Sequence, residues 1–547
     1  MSENMDFLFA ERNKKMQLNV EQILAFERIK AGGNFFVTGK SGAGKTTLIK
    51  ALAEDLSDII FCAPTSSAAR LIGGQTIHRL FQLPPYPIIE PESLQPLGRL
   101  KRKLLKAVKT IVIDEISMVR GDILRAVDYR LRQCASSFED AIKPFGGKNM
   151  VFVGDFFQLP PVITGFSSGN PDIEKIHEQR GFYAFQSPAW KDAKITPLYL
   201  KSIMRQTDPE FIHILNVLRT NDEEEIPKIL ADLNKRVAED IPEKAVYLCS
   251  TKITAAIRNA TKYNELTGAA RTFTAQISGQ FEPKDYPNEQ ELHLKIGQRV
   301  ISTVNAKDFC NGDIGTIINF TDTGVIVRFD SGSQSEVLPT EIPQYRCKIE
   351  VDEDGKEKIA IFKAGGFTQI PLIPGYAITI HRSQGMTLPQ VVLDIGAGCF
   401  TSGQLYVAVS RCRSLDSLFL KQKISEEDIF VDYDVKVEEI FWKVDNRLIH
   451  RILKKELAEL DSSQVDMLSL HKYYITHFLQ FFMESYLDEF DSDDPKDEDE
   501  TIDDNLLYLE ENFYQQACAF YLNRLENLSD AMETIGKISR KIYTEQR

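Results

Sequence analysis

FFVTGKSGAGKTTLIKAL, residues 35–52, decides the fold. A short apolar run enters a turn with glycine at 39, 42 and 44 and leaves it as a helix-favouring segment. Gly39–Thr46 fits G-x-x-x-x-G-K-[ST], the loop whose backbone N–H groups wrap a pyrophosphate at a helix N-terminus. Bulky side chains would obstruct such a loop, so Gly39, Ser41, Gly42, Ala43 and Gly44 are predicted to line the phosphates, with Thr47 just inside the helix. Lys45 is placed to neutralise the β- and γ-phosphates of ATP, and Thr46 to hold Mg²⁺.

Outward from this loop the same pattern repeats. DIIFCAPT (58–65), VKTIVIDE (108–115) and NMVFVGD (149–155) are short continuous apolar runs separated by helical stretches, the signature of a parallel sheet covered on both faces. Residues 16–31 read as a helix entered through Asn19, with Gln22 at capping-box spacing. A second set, AVYLCST (245–251), QVVLDIG (390–396) and SLFLKQ (417–422), with the helix 252–266, predicts a second α/β domain. Between them, 297–370 alternates apolar and polar residues around Gly-Asp and Gly-Ser turns and reads as an inserted small antiparallel β-barrel. Residues 83–98 hold five prolines and exclude a regular helix, which makes them a stiff excursion from the first domain. The chain beyond 431 reads as a helical extension divided by an acidic linker at 488–504.

Composition narrows the class. At 547 residues, 43% hydrophobic and 26% charged, the chain is ordinary globular material, not disordered or collagen-like. No run approaches 18 apolar residues, so no spanning helix is predicted, and the first 17 residues lack a signal pattern. An intracellular protein of a bacterial cytoplasm, associated with the nucleoid, is expected. Net charge is −14, but 488–504 alone holds eleven acids against one lysine, so acidity is no argument against a nucleic-acid partner for the main body. The eight cysteines form no C-x-x-C pair and read as thiols of a reducing compartment.

Two further stretches carry chemistry. Asp114 and Glu115 end an apolar strand; downstream of a phosphate loop, Asp114 suits Mg²⁺ and Glu115 suits activation of the attacking water. GDFFQLPPV (154–162) ends another strand and places Gln158 to sense the γ-phosphate.

These stretches, with APTSSAARLIGGQTIHRLF (63–81), YAITIHRSQGMTL (376–388) and GQLYVAVSRCRS (403–414), resemble the ordered motifs of superfamily-one helicases, and the set resembles the petite-integration-frequency (PIF) helicases and their RecD-like relatives. SMVRGDILRAVDYRLR (117–132) is similar to the segment that separates PIF helicases from RecD-like ones. The resemblance covers about residues 15–425. It implies two RecA-like P-loop domains, 1–82 with 99–189 and 190–296 with 371–430, clamping ATP between them. It implies that Gln22 reads the adenine, that Arg205 and Arg411 reach the γ-phosphate from the second domain, and that Gln384 couples the strand to the nucleotide. Thr65, His78, Thr379, His381 and Ser383 are implied along the DNA groove; Phe81 suits base stacking and a core position equally. Relatives usually carry lysine where Arg382 stands. The excursion 83–98 matches the family's wedge, and NGDIGTI (311–317) resembles the turn of its small barrel. The basic run 98–109 fits either a nucleic-acid patch or a solvated helix face.

The implied activity is ATP-dependent DNA unwinding with 5′-to-3′ movement on single-stranded DNA, in repair, recombination and telomere maintenance. Single strands and forked duplexes are the implied partners, with RNA–DNA hybrids and four-stranded guanine DNA as further substrates. Three alternatives stand beside it: a translocase that strips bound molecules, an RNA-preferring helicase, and an ATPase-switched adaptor recruiting a protein partner through 431–547.

Overall fold

A computed structural model of the chain describes residues 18–162, 182–238, 240–351 and 357–443. The N-terminal 17 residues, the aromatic segments beyond 443 and the acidic run 488–504 lie outside the described residues. The chain divides into two units, 1–436 and 437–547.

The first lobe is a six-stranded sheet of β1 (Phe35–Thr38), β2 (Ile59–Ala63), β3 (Gln75–Thr76), β4 (Thr110–Ile113), β5 (Asn149–Gly154) and β6 (Thr196–Tyr199). The order is β3-β2-β4-β5-β1-β6, and every pair is parallel. β1, β2 and β4 are buried along their whole length, as continuous apolar runs require when helices cover both faces. Register sets Thr38 beside Gly154 and Ile113 beside Phe152, so the phosphate loop, the acid pair and the 154–162 loop all leave the same edge of the sheet. That carboxyl-end edge is where open α/β sheets bind ligands.

The second lobe has a four-stranded parallel sheet in the order Ala377–Thr379, Val246–Cys249, Val391–Asp394, Leu418–Leu420. Antiparallel pairing occupies the stretch between its first two strands and begins earlier than 297. Ala270–Thr274 pairs with Glu291–Lys295, and Gln276–Gly279 pairs with the long hairpin Thr340–Val351/Glu357–Gln369. The remaining five strands, from Arg299–Ser302 to Leu372–Pro374, form one sheet around a core containing Val300, Ile317, Val327 and Leu372. The hairpin reaches the first lobe, where it packs on the helix Arg99–Ala107. The basic run 98–109 is thus a helix with Leu104 and Leu105 buried and Leu100 exposed.

Residues 83–98 have no regular structure except the tight turn Pro91–Ser93. Leu83, Ile88, Pro91 and Leu97 are buried and fix the segment at four points. The Ile88 N–H donates to Asp122 Oδ2 at 2.8 Å. Arg120 in turn holds that carboxylate with two bonds, of 2.7 and 2.9 Å. Both residues belong to the 117–132 segment, whose helix runs Gly121–Gln133.

Candidate functional site

The loop after β1 turns through Gly42 (φ 87°) and Gly44 (φ 80°), left-handed conformations that other residues resist. A Cβ at Gly44 would stand 2.3 Å from Gln22 Nε2, and one at Gly42 would stand 2.7 Å from Arg205 Cβ. The helix Lys45–Asp55 follows at once, with Thr46 half-buried and Thr47 exposed in its first turn. Lys45 Nζ donates to the Gly39 and Lys40 carbonyls at 2.5 and 3.2 Å, which poises the ammonium over the loop. Gln22 is fully engaged: Oε1 accepts the Asn19 N–H at 2.9 Å in a capping box, and Nε2 donates to the Gly44 carbonyl at 3.0 Å. In this conformation it braces the phosphate loop, and contact with a base requires one of those bonds to be surrendered.

Asp114 and Glu115 close the β4 edge. Glu115 has φ 51°, a strained left-handed conformation for a residue with a Cβ, and its N–H donates to Asp114 Oδ1 at 2.9 Å. Burial, and then the charge of Glu115, push the Asp114 carboxyl up to about 7. Burial likewise raises Glu115 against the pull of Lys45 and Arg411. Burial lowers Lys45 against the attraction of Asp155, Glu115 and Asp114. A buried carboxylate raised by a like-charged neighbour, on the same sheet edge as the Thr46 hydroxyl, fits a divalent cation, whose charge would relieve that repulsion.

The connection that leaves β6 and the second lobe both bring cations to this edge. Arg205 Nη1 and Arg411 Nη2 both donate to Ser41 Oγ, at 3.0 and 2.9 Å. The Ser41 N–H donates to Tyr406 Oη at 2.9 Å. Arg411 is 2% exposed and is held by the Val407 carbonyl at 2.9 Å and Ser410 Oγ at 2.7 Å. Burial and the neighbouring charge of Arg205 press on its proton, the condition of a guanidinium placed to receive an anion. Gln206 Nε2 bonds the Ser410 and Cys412 carbonyls at 3.2 and 3.0 Å, tying the 205 loop to the 403–414 segment.

A buried ion pair spans the lobes beside this contact. Arg219, on the helix Pro209–Thr220, reaches Asp155 Oδ1 at 3.0 Å and lies over the Phe157 ring at 4.0 Å. Burial raises the Asp155 carboxyl, but Arg219 and Lys45 outweigh it and hold the group low. Gln158 donates to the same carboxylate at 3.4 Å, so its amide faces the cross-lobe pair. Gln384 is half-buried, and its buried Nε2 has no hydrogen-bond partner among the described residues, a donor for an incoming acceptor. Tyr406, Gln206, Asp155 and Arg219 carry no role in the sequence reading. For Tyr406 the signal was its place inside the 403–414 motif; for Arg219 there was none.

The predicted groove residues divide. Thr65 caps the helix Ser66–Leu71, and His78 is half-buried, lowered by burial and by Arg120. Thr379 and His381 sit half-buried at the end of a second-lobe strand. Two assignments need correction. Phe81 has no exposed surface and packs in the core with Ile77 and Leu80, leaving no face on which a base can stack. Ser383 is also fully buried, and its hydroxyl donates to the Ile380 carbonyl at 2.7 Å, closing a local turn.

Two lobes built on parallel sheets, with a phosphate loop on the edge of the first and Arg411 reaching it from the second, form a RecA-like motor core. The sequence model of the PIF1-like helicases matches residues 17–225. The "ATP-dependent DNA helicase Pif1" of Campylobacter jejuni is 30% identical over 72% of this chain and 89% of its own length. The PIF1 helicase of Danio rerio is 31% identical over 82% of this chain, which spans 66% of the zebrafish protein. Solved structures of a Bacteroides Pif1 are 33% identical: the unliganded form and the ADP-AlF4 complex each overlay at a TM-score of 0.70, covering 78% of this chain and 98% and 97% of theirs. The single-stranded-DNA complex of that protein, also 33% identical, overlays at 0.55 with 77% and 96% coverage. The chain belongs to the PIF1-like helicase family. Among the described residues no helix is long and apolar enough to cross a membrane.

Proposed function

We propose that this chain is an ATP-dependent DNA helicase whose two lobes close on nucleotide and step along a single strand. The observation that carries the reading is the convergence of Arg205 and Arg411 on the phosphate-loop residue Ser41. Guanidinium groups delivered across a cleft link lobe closure to stabilisation of the charge that develops on a γ-phosphoryl group. The Bacteroides relative, solved with ADP-AlF4 and with single-stranded DNA, supports both ligands.

In this reading Lys45 leaves its carbonyl partners for the β- and γ-phosphates. Glu115, whose proton affinity burial raises, accepts the proton of the attacking water. Thr46 and Asp114 would hold Mg²⁺, which would supply neutralisation of phosphate charge. Gln158 and the Asp155–Arg219 pair report the state of that site to the second lobe. Adenine reading by Gln22 and strand coupling by Gln384 complete the cleft.

Thr65, His78, Thr379 and His381 line the strand path. The segment 83–98 is the wedge, held at Ile88 by Asp122, and the antiparallel module helps enclose the strand. Movement is 5′-to-3′, on forked duplexes first and on hybrids or four-stranded guanine DNA beyond them. Opening one base-pair step costs about 1–2 kcal/mol, so one ATP per step suffices.

A strand-displacement assay on duplexes with 5′ or 3′ tails, each of DNA or RNA, tests this. Unwinding of the 5′-DNA-tailed substrate alone is expected. Equal use of 3′ tails would overturn the direction, and preference for RNA tails would overturn the substrate.

A further inference from the structure

Asp285 ends the tight turn Pro283–Asp285 of the antiparallel module, yet the hydrogen bonds to its carboxylate come from the first lobe. Ser66 Oγ donates to Oδ1 at 2.5 Å and Arg79 Nη2 donates to Oδ2 at 2.5 Å. Arg70 Nη1 donates to the Asp285 backbone carbonyl at 3.1 Å. The carboxylate is 6% exposed. Burial acts to raise it, but Ser66 and Arg79 outweigh that and hold it below the usual carboxylate range. Glu282, from the same turn, lies 3.5 Å from Arg79.

The donors form a preassembled anion site. A hydroxyl and one guanidinium, carried by the 66–79 stretch of one lobe, converge on the carboxylate, and a second guanidinium, Arg70, holds the backbone carbonyl of the same residue. Lys101 and Arg346 feel the charge of Arg79 as well, so this corner carries more cation than Asp285 and Glu282 neutralise. Ser66 and Arg79 stand next in sequence to Thr65 and His78, the residues proposed above for the strand path. The acid is the one component supplied by a different module. Movement of the module away from the first lobe would empty the site without disturbing the fold of either.

We infer that Ser66, Arg70 and Arg79 form a binding site for a backbone phosphate of single-stranded DNA, and that Asp285 occupies it as a built-in competitor until DNA displaces it. The carboxylate keeps the Ser66 hydroxyl and the Arg79 guanidinium paired in the absence of DNA and raises the threshold for loading: a strand must bring enough phosphates to outcompete a tethered anion. The inference rests on the helicase reading, since it requires a polynucleotide ligand.

Fluorescence anisotropy of a labelled oligothymidylate, titrated with the full chain over a range of salt, tests it. Asp285→Asn keeps the shape and hydrogen-bonding capacity but removes the charge, and is expected to tighten binding several-fold. Arg79→Ala is expected to weaken binding and to lower the slope of log K against log salt by about 0.7. In the Arg79→Ala background, Asp285→Asn is expected to bring no gain. Ser66→Ala, which leaves the Arg79–Asp285 pair in place, provides a milder second probe and is expected to weaken binding about two- to five-fold, the loss of one hydrogen bond of ordinary strength. Unchanged or weaker binding by a folded Asp285→Asn variant, or an equal gain without Arg79, would overturn the competitor role and leave Asp285 as a strut. A wild-type chain that binds no oligonucleotide would overturn the helicase reading itself.

Discussion

The nucleotide cleft and the Ser66–Arg79 corner are both anion sites that hold an internal stand-in, and the stand-ins differ. In the cleft, Arg205 and Arg411 rest on the neutral Ser41 hydroxyl. At the corner, Arg79 rests on the full charge of Asp285. A hydroxyl shared by two guanidinium groups leaves most of their charge unanswered, so a polyphosphate displaces it readily. A carboxylate answers that charge and yields only to a ligand with several phosphates at once. The difference teaches that fuel and track are gated unequally: the cleft is built to accept ATP at any time, and the corner to admit DNA only when a strand is fully presented.

The comparison can be broken at the cleft first. Arg411→Ala is expected to lower DNA-stimulated ATP turnover by about 10³-fold, the scale of an arginine supplied across a cleft, with nucleotide binding largely kept; turnover within a few-fold of the parent would remove the cross-lobe link. Glu115→Gln is expected to bind ATP yet cut single-turnover hydrolysis by about 10²-fold or more. Normal cleavage by that variant would place the base elsewhere. At the other end of the molecule, Asp122→Asn weakens the grip of Arg120 and loosens Ile88. It is expected to reduce strand displacement roughly three- to ten-fold while oligonucleotide-stimulated ATP turnover stays near the parent value, because it leaves the cleft residues in place. A parallel fall in both readouts would mean that the brace serves the motor as a whole.

The smallest effect expected is on stability. The Asp114 carboxyl is raised from an ordinary 3.8 to about 7, so the folded protein holds that proton more tightly than the unfolded chain. Its contribution is complete below about pH 4 and is lost as pH rises toward 7. The melting temperature without metal or nucleotide should therefore carry a downward component across that window, absent in Asp114→Asn. Mg²⁺ with ADP should stabilise the parent more at pH 7.5 than at pH 5. A flat difference between parent and variant would show that burial and Glu115 do not raise the Asp114 carboxyl.

The cleft was legible in the sequence because its parts are contiguous. A glycine loop needs its residues side by side, and an acid pair at a strand end is one short run, and the fold sets Lys45, Thr46, Asp114 and Glu115 at one sheet edge. The corner was not legible. Asp285 meets Ser66 and Arg79 across more than 200 positions of chain, and no local pattern marks an aspartate that will answer a distant arginine. Asp155 and Arg219 escaped for the same reason. Phe81 and Ser383 show the opposite failure: both sit inside informative motifs, but a motif fixes a neighbourhood and leaves open which way a side chain faces. In the short helix Ile77–Phe81 the core takes 77, 80 and 81, and only His78 and Arg79 remain partly exposed. The antiparallel module was visible as alternation, but its early strands from Ala270 lie too close to the preceding helix for the change in period to register.

The most direct measurement is steady-state phosphate release by the full chain with and without a single-stranded oligonucleotide, at several salt concentrations. Lobe closure shared by fuel and track predicts stimulation of about ten-fold or more, with the half-maximal oligonucleotide concentration rising steeply with salt. Phosphate release indifferent to the oligonucleotide at every salt concentration would contradict it.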